Sequence, residues 1–112
     1  MQNSEFQQRF SQVERSVQNA AQTCRQTQNV PQQLKDTIAQ LDTQSQQTRQ
    51  QITSNQNASQ PEQQFAQAVD RLEQLGDQAM QAVRQNSDLD AKLRDAVKQA
   101  HDQLSQLKHQ LH

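Results

Sequence analysis

The sequence has no tryptophan, no tyrosine and one glycine, Gly76, among 112 residues. Phosphate-binding loops, dinucleotide fingerprints and nucleophile elbows each need several glycines for tight turns or close approach to phosphate. The Glu-x-x-His motif of di-iron bundles is also missing, because none of the four glutamates has a histidine three residues later. We therefore expect a protein that is not an enzyme and that requires no cofactor.

Cysteine and long apolar runs are scarce as well. The single cysteine, Cys24, excludes an intrachain disulfide and a multi-cysteine zinc site. The sequence has no apolar run of membrane-spanning length and no secretory signal pattern, which predicts a cytoplasmic protein without a transmembrane segment. Eleven basic and twelve acidic residues nearly cancel, which argues against a nucleic-acid partner, because phosphate binding needs clustered Lys and Arg.

Glutamine is abundant instead, at 29 residues. A glutamine-rich chain without apolar periodicity is typical of disorder, but glutamine is also a good helix former. Here apolar and small residues recur at steps of three and four, the period of one helix face. Four such stripes follow one another: Phe6, Phe10, Val13, Val17, Ala20, Cys24; Leu34, Ile38, Leu41, Ser45, Thr48, Ile52; Phe65, Val69, Leu72, Gly76, Ala79, Val83; Leu89, Leu93, Ala96, Ala100, Leu104, Leu107.

The stripes predict an all-α protein whose helices span 4–28, 31–53, 60–85 and 88–111. Pairing successive stripes as antiparallel hairpins centres the turns on Asn29, on Ala58 and Ser59 within the polar segment 53–60, and on Asn86. Asparagine and serine are suited to turns or helix ends. Ser87 is then the predicted cap of the fourth helix. Equal helix lengths favour one antiparallel up-down-up-down four-helix bundle with coiled-coil-like heptad seams.

Two helical hairpins that associate in a dimer are the alternative fold. Large apolar side chains are few for a chain of this length, so the stability margin is thin and self-association is the usual remedy. Either arrangement makes 1–112 a single helical domain.

Several residues have both a structural and a functional interpretation. Cys24 is a small core residue or a reactive thiol, and Gly76 marks a close helix approach or a small ligand cavity. His109 and His112, one turn apart, are weak candidates for a metal site, because further ligands are lacking. His101 flanks the fourth stripe and is expected at the surface.

The third and fourth helices carry apolar residues in addition to those of their stripes, whose members we also call seam residues. Leu75, Met80 and Val97 lie beside the stripes, with Ala68 and Ala82. One interpretation is a broad stripe that fills the sides of the core; the other is a face that binds a partner or a second copy. On the second interpretation, Leu75, Met80 and Val97 are the predicted contact residues.

The sequence therefore predicts a non-enzymatic helical module for protein–protein interaction, such as an adaptor, chaperone or assembly component, which binds another protein or itself as a homodimer. One alternative is a bundle that binds a metal or a small ligand. Another is an amphipathic coat protein on a hydrophobic surface such as a storage granule.

Overall fold

A computed structural model describes residues 3–54 and 61–111. These residues form four helices and no strand: α1 (Asn3–Gln26), α2 (Gln32–Ser54), α3 (Pro61–Gln85) and α4 (Ala91–Leu111). Each helix packs against two neighbours in the cyclic order α1, α2, α3, α4, and α1 also contacts α3 across the diagonal. The predicted four-helix bundle is confirmed. Among the described residues, no helix is both long and apolar enough to cross a bilayer.

The core consists of the predicted stripes. All residues of the four stripes are buried, including the polar Ser45 and Thr48. One core cluster contains all three phenylalanines, and the rings of Phe6 and Phe65 stack with centroids 5.5 Å apart. A second cluster around Cys24 and smaller aliphatic residues lies near the α1–α2 and α3–α4 turns. The bulky rings thus fill the end at which α2 contributes its polar seam residues.

The first turn is centred where the sequence predicts it. Asn29 has a φ of 62°, the left-handed conformation that asparagine tolerates better than most residues. The α1 C-terminus is closed by the Thr27 hydroxyl, which donates to the carbonyl of Thr23 at 2.6 Å. The carbonyl of Pro31 accepts the first hydrogen bond of α2, from the amide of Lys35. Helix α1 ends at Gln26, two residues before the predicted boundary.

The turn between α3 and α4 is longer than predicted. Helix α4 begins at Ala91, three residues after the predicted start, and Asp90 is its cap because its Oδ1 accepts the amide of Lys92 at 2.8 Å. Ser87, the predicted cap, lies in the turn, where the amide of Leu89 donates to the carbonyl of Asn86. Leu89 remains buried, so the added turn residues do not remove it from the core.

The connection between α2 and α3 lies partly outside the described residues. The predicted turn at Ala58 and Ser59 falls in 55–60 and so lies outside the described residues. Helix α3 begins at Pro61, one residue after the predicted start. Proline suits this position, because the first turn of a helix does not need its missing amide hydrogen.

Candidate functional site

The predicted contact residues do not form an exposed surface. Leu75 is 8% exposed and belongs to the phenylalanine-containing cluster, while Val97 is 2% exposed and belongs to the cluster around Cys24. Met80 is half-buried against that second cluster. No large apolar side chain among the described residues is exposed. This burial favours the other interpretation, in which a broad apolar stripe fills the sides of the core. The contact role of Leu75, Met80 and Val97 stays a prediction.

Of the histidines, His101 is less exposed than the sequence predicts. His109 is exposed near the end of α4, and His112 lies outside the described residues. His101, expected at the surface, is instead only 20% exposed in its side chain, and its Nε2 lies 2.6 Å from Oδ1 of Asp77. The histidine with a close polar partner therefore lies in the middle of the α3–α4 interface and not at the end of α4.

His101 belongs to a cluster of three possible metal ligands. Glu73 and Asp77 lie one turn apart on α3 and His101 lies on α4, and one ligand atom from each falls within 4.8 Å of the others. We call these three residues the histidine–carboxylate cluster. Nζ of Lys108 lies 3.4 Å from Oε2 of Glu73, so the Glu73 carboxylate has a cationic neighbour at the edge of the cluster.

Gly76 lies against the His101 ring at the α3–α4 interface. A Cβ atom added to Gly76 would lie 3.6 Å from both Cα and Cδ2 of His101 and 3.4 Å from Cδ1 of Leu104. Helix α4 therefore approaches α3 closely at this point, as one interpretation of Gly76 requires. A methyl group at this position would only touch the imidazole ring, whereas a longer side chain would displace it from Asp77.

Cys24 is a free, buried cysteine beside the first turn. Burial raises the pKa of its thiol, although the positive charges of Lys35 and Arg25 act in the opposite direction. A raised pKa leaves little of the reactive thiolate at neutral pH. These observations support the interpretation of Cys24 as a core residue.

A second polar contact joins α1 and α2. Arg49 donates through Nε to Oε1 of Glu14 at 2.7 Å and through Nη2 to Oγ of Ser11 at 2.9 Å. Its guanidinium carbon also lies 5.3 Å from the centroid of the Phe10 ring, within the range of a cation–π interaction. This arrangement fixes α2 against α1 over its most polar half.

A large concavity lies at the end of the bundle where the α1–α2 and α3–α4 turns meet. This groove has a volume of about 820 Å³ and is bordered by the end of α1, both turns and the start of α4. It is lined by Thr23, Gln26, Thr27, Gln28, Asn29, Pro31, Asn86, Asp88, Leu89, Asp90 and Lys92. We call it the turn groove. Its lining supplies amides, hydroxyls and two carboxylates against one lysine, so it suits a polar ligand with a positively charged group.

The sequence pattern alone did not reveal the turn groove or the histidine–carboxylate cluster. A signal for the cluster existed: Glu73, Asp77 and His101 each directly follow a seam residue. Residues beside the seam of a coiled-coil-like pair meet across the helix interface. The groove had no comparable signal, because its shape depends on how two turns are placed relative to each other. No family model, curated protein or solved structure matches this chain.

Proposed function

We propose that this chain is a non-enzymatic helical module that binds a segment of another protein in the turn groove. The observation that carries the proposal is the groove itself, a polar concavity of about 820 Å³ next to a closed apolar core. Pockets for small ligands usually measure ~300–1,000 Å³, so the groove has room for several side chains of a partner segment.

The burial pattern favours a polar partner over an apolar one. Leu75 and Val97 are in the core, so an amphipathic helix would find no apolar counterpart there. In the turn groove, Asn29 and Gln28 are exposed, and their amides can pair with the backbone and polar side chains of a partner. Hydrogen bonds of this kind give orientation and specificity.

The charge of the turn groove favours a partner segment with a basic residue. Asp88 is exposed in the groove, and Asp90 uses Oδ1 to cap α4. With Lys92 as the one cation in the lining, the groove carries a net negative charge. We therefore propose a polar segment that places a lysine or arginine at Asp88, because such a pair adds charge-assisted hydrogen bonds and specificity.

The proposal is tested by affinity capture from the native host with three forms of the chain. These are the wild type, Asp88→Lys in the groove, and Asp95→Lys, a matched charge change at an exposed position of α4 outside the groove. We expect a protein captured by the wild type and by Asp95→Lys to be lost with Asp88→Lys. Equal capture by Asp88→Lys would contradict the assignment of the groove. Circular dichroism of all three forms checks that the helices remain folded.

A further inference from the structure

The histidine–carboxylate cluster has a geometry and chemistry that the turn groove does not use. It places one imidazole nitrogen and two carboxylate oxygens, from two helices, within 4.8 Å of one another. We propose that Glu73, Asp77 and His101 bind a divalent transition-metal cation of the zinc class, which bridges α3 and α4. This site is independent of the turn groove and of any partner bound there.

The distances suit a cation after small side-chain rotations. Zinc binds nitrogen and carboxylate oxygen at ~2.0–2.2 Å, so ligands in a tetrahedral site lie roughly 3.4 Å apart. His101 Nε2 and Asp77 Oδ1 are 2.6 Å apart and would separate slightly as the ion enters between them. The more distant Glu73 oxygen would move inward, and its side chain has the rotatable bonds to do so.

Contacts on both sides of the imidazole ring orient its Nε2 for metal binding. The ring lies against α3 beside Gly76, and its Nε2 faces Asp77. The other ring nitrogen, Nδ1, lies 3.5 Å from Oδ1 of Asp102, where that carboxylate can favour the tautomer with hydrogen on Nδ1. Metal-bound histidines commonly have a carboxylate at their second nitrogen. Ligation through Nε2 needs its lone pair, so any proton shared with Asp77 is released to solvent.

Burial and charge also favour a cation. The side chain of Glu73 is 12% exposed, and its charged neighbour across the interface is Lys108 at 3.4 Å. A carboxylate so removed from water needs compensation by charge or hydrogen bonds. Lys108 supplies part of this compensation to Glu73, and a divalent ion between the two carboxylates would add to it for Glu73 and Asp77 together. An imidazole with carboxylates selects zinc-like ions over magnesium or calcium, which prefer oxygen ligands alone.

The test is a zinc titration of the full chain, freed of metal with a chelator and measured at neutral pH against a chromophoric competitor. We expect one zinc ion per chain with micromolar affinity and no displacement by excess magnesium. Glu73→Gln, Asp77→Asn and His101→Gln should each weaken zinc binding by at least about tenfold, since even residues that only orient a ligand have effects of this size. Asp77 is half exposed, so Asp77→Asn should keep the fold and remain informative.

Two control variants separate this site from the other zinc-binding side chains of the protein. His109→Gln alters the exposed histidine of α4, and Cys24→Ser removes the thiol; both should bind zinc like the wild type. The proposal is overturned if the wild type takes up no stoichiometric zinc, or if Asp77→Asn and His101→Gln bind it as tightly as the wild type. In that case the contact between His101 and Asp77 is a structural hydrogen bond only.

Discussion

Two serines of the bundle differ in how their hydroxyl groups are satisfied. Ser45 is buried in the seam of α2, and its Oγ has no hydrogen-bond partner among the described residues. The hydroxyl of Ser11, by contrast, donates to the Gln7 carbonyl at 2.9 Å and accepts from Arg49. A buried hydroxyl without a partner costs free energy that an apolar replacement recovers.

Ser45→Ala should therefore stabilise the protein. We expect the free energy of unfolding to rise by about 1 kcal/mol, because alanine removes the unpaired hydroxyl and is the better helix former. Urea denaturation measures the change. Ser11→Ala is the matched control and should lower the free energy of unfolding by ~1 kcal/mol, since it removes a partner of Arg49. Equal losses of stability in Ser45→Ala and Ser11→Ala would contradict the assignment of the Ser45 hydroxyl as unpaired.

Gly76 gives a second prediction at the residue scale. An added Cβ would make ordinary van der Waals contacts of 3.4–3.6 Å with His101 and Leu104, and alanine in a helix interior is favoured over glycine by roughly 0.5–1 kcal/mol. Gly76→Ala should thus raise the melting temperature by a few degrees. Gly76→Leu should lower it, because a longer side chain would have to displace α4. A lower melting temperature for Gly76→Ala would show that the helices lie closer than described.

At the scale of helix pairs, four cross-helix ionic contacts among the described residues share one feature of sequence position. Arg25 with Asp42 and Glu14 with Arg49 join α1 to α2, while Asp77 with His101 and Glu73 with Lys108 join α3 to α4. Every one of these residues directly follows a seam residue. Residues on one side of two antiparallel seams face each other, which places opposite charges in contact.

The ion pair of Glu14 and Arg49 should stabilise the protein more than the ion pair of Glu5 and Arg9. Both side chains are partly buried and Arg49 has further partners, whereas Glu5 and Arg9 form an exposed pair within α1. Double-mutant cycles with Glu14→Gln and Arg49→Gln should give a coupling free energy of about 1 kcal/mol or more. The cycle for the Glu5 and Arg9 pair should give ~0.3–0.5 kcal/mol. Similar couplings for the two pairs would refute this difference.

The helices and their core were largely predictable from the sequence, because a seam residue is identified by its periodicity alone. Asn29 was predictable as a turn residue, since few residue types accept its conformation. The start of α4 was harder to predict, because Ser87 and Asp90 are both residue types that cap helices well. The hydrogen bonds of the turn decide between them. The partner role of Leu75 and Val97 could not be judged from the pattern, because apolar residues beside a seam can fill a core or face a partner.

At the scale of the whole molecule, a single chain buries the large apolar side chains of its described residues. Its accessible surface is 6866 Å², close to the ~6,300 Å² expected for a folded monomer of this mass. Neither the dimer of hairpins nor a homodimer is needed to bury the seams. An amphipathic coat would require the bundle to open, because the apolar side chains face inward, and it stays a sequence-based hypothesis.

The closed monomer is the central claim, because the turn groove is proposed as the contact surface only if the apolar seams are already satisfied. Sedimentation equilibrium over a wide concentration range tests it most directly, on metal-free protein so that zinc cannot bridge chains. We expect a single species of 12.9 kDa at all concentrations, with a melting temperature that does not depend on concentration. A species of twice that mass that grows with concentration would contradict the claim and return Leu75, Met80 and Val97 to consideration as an interface.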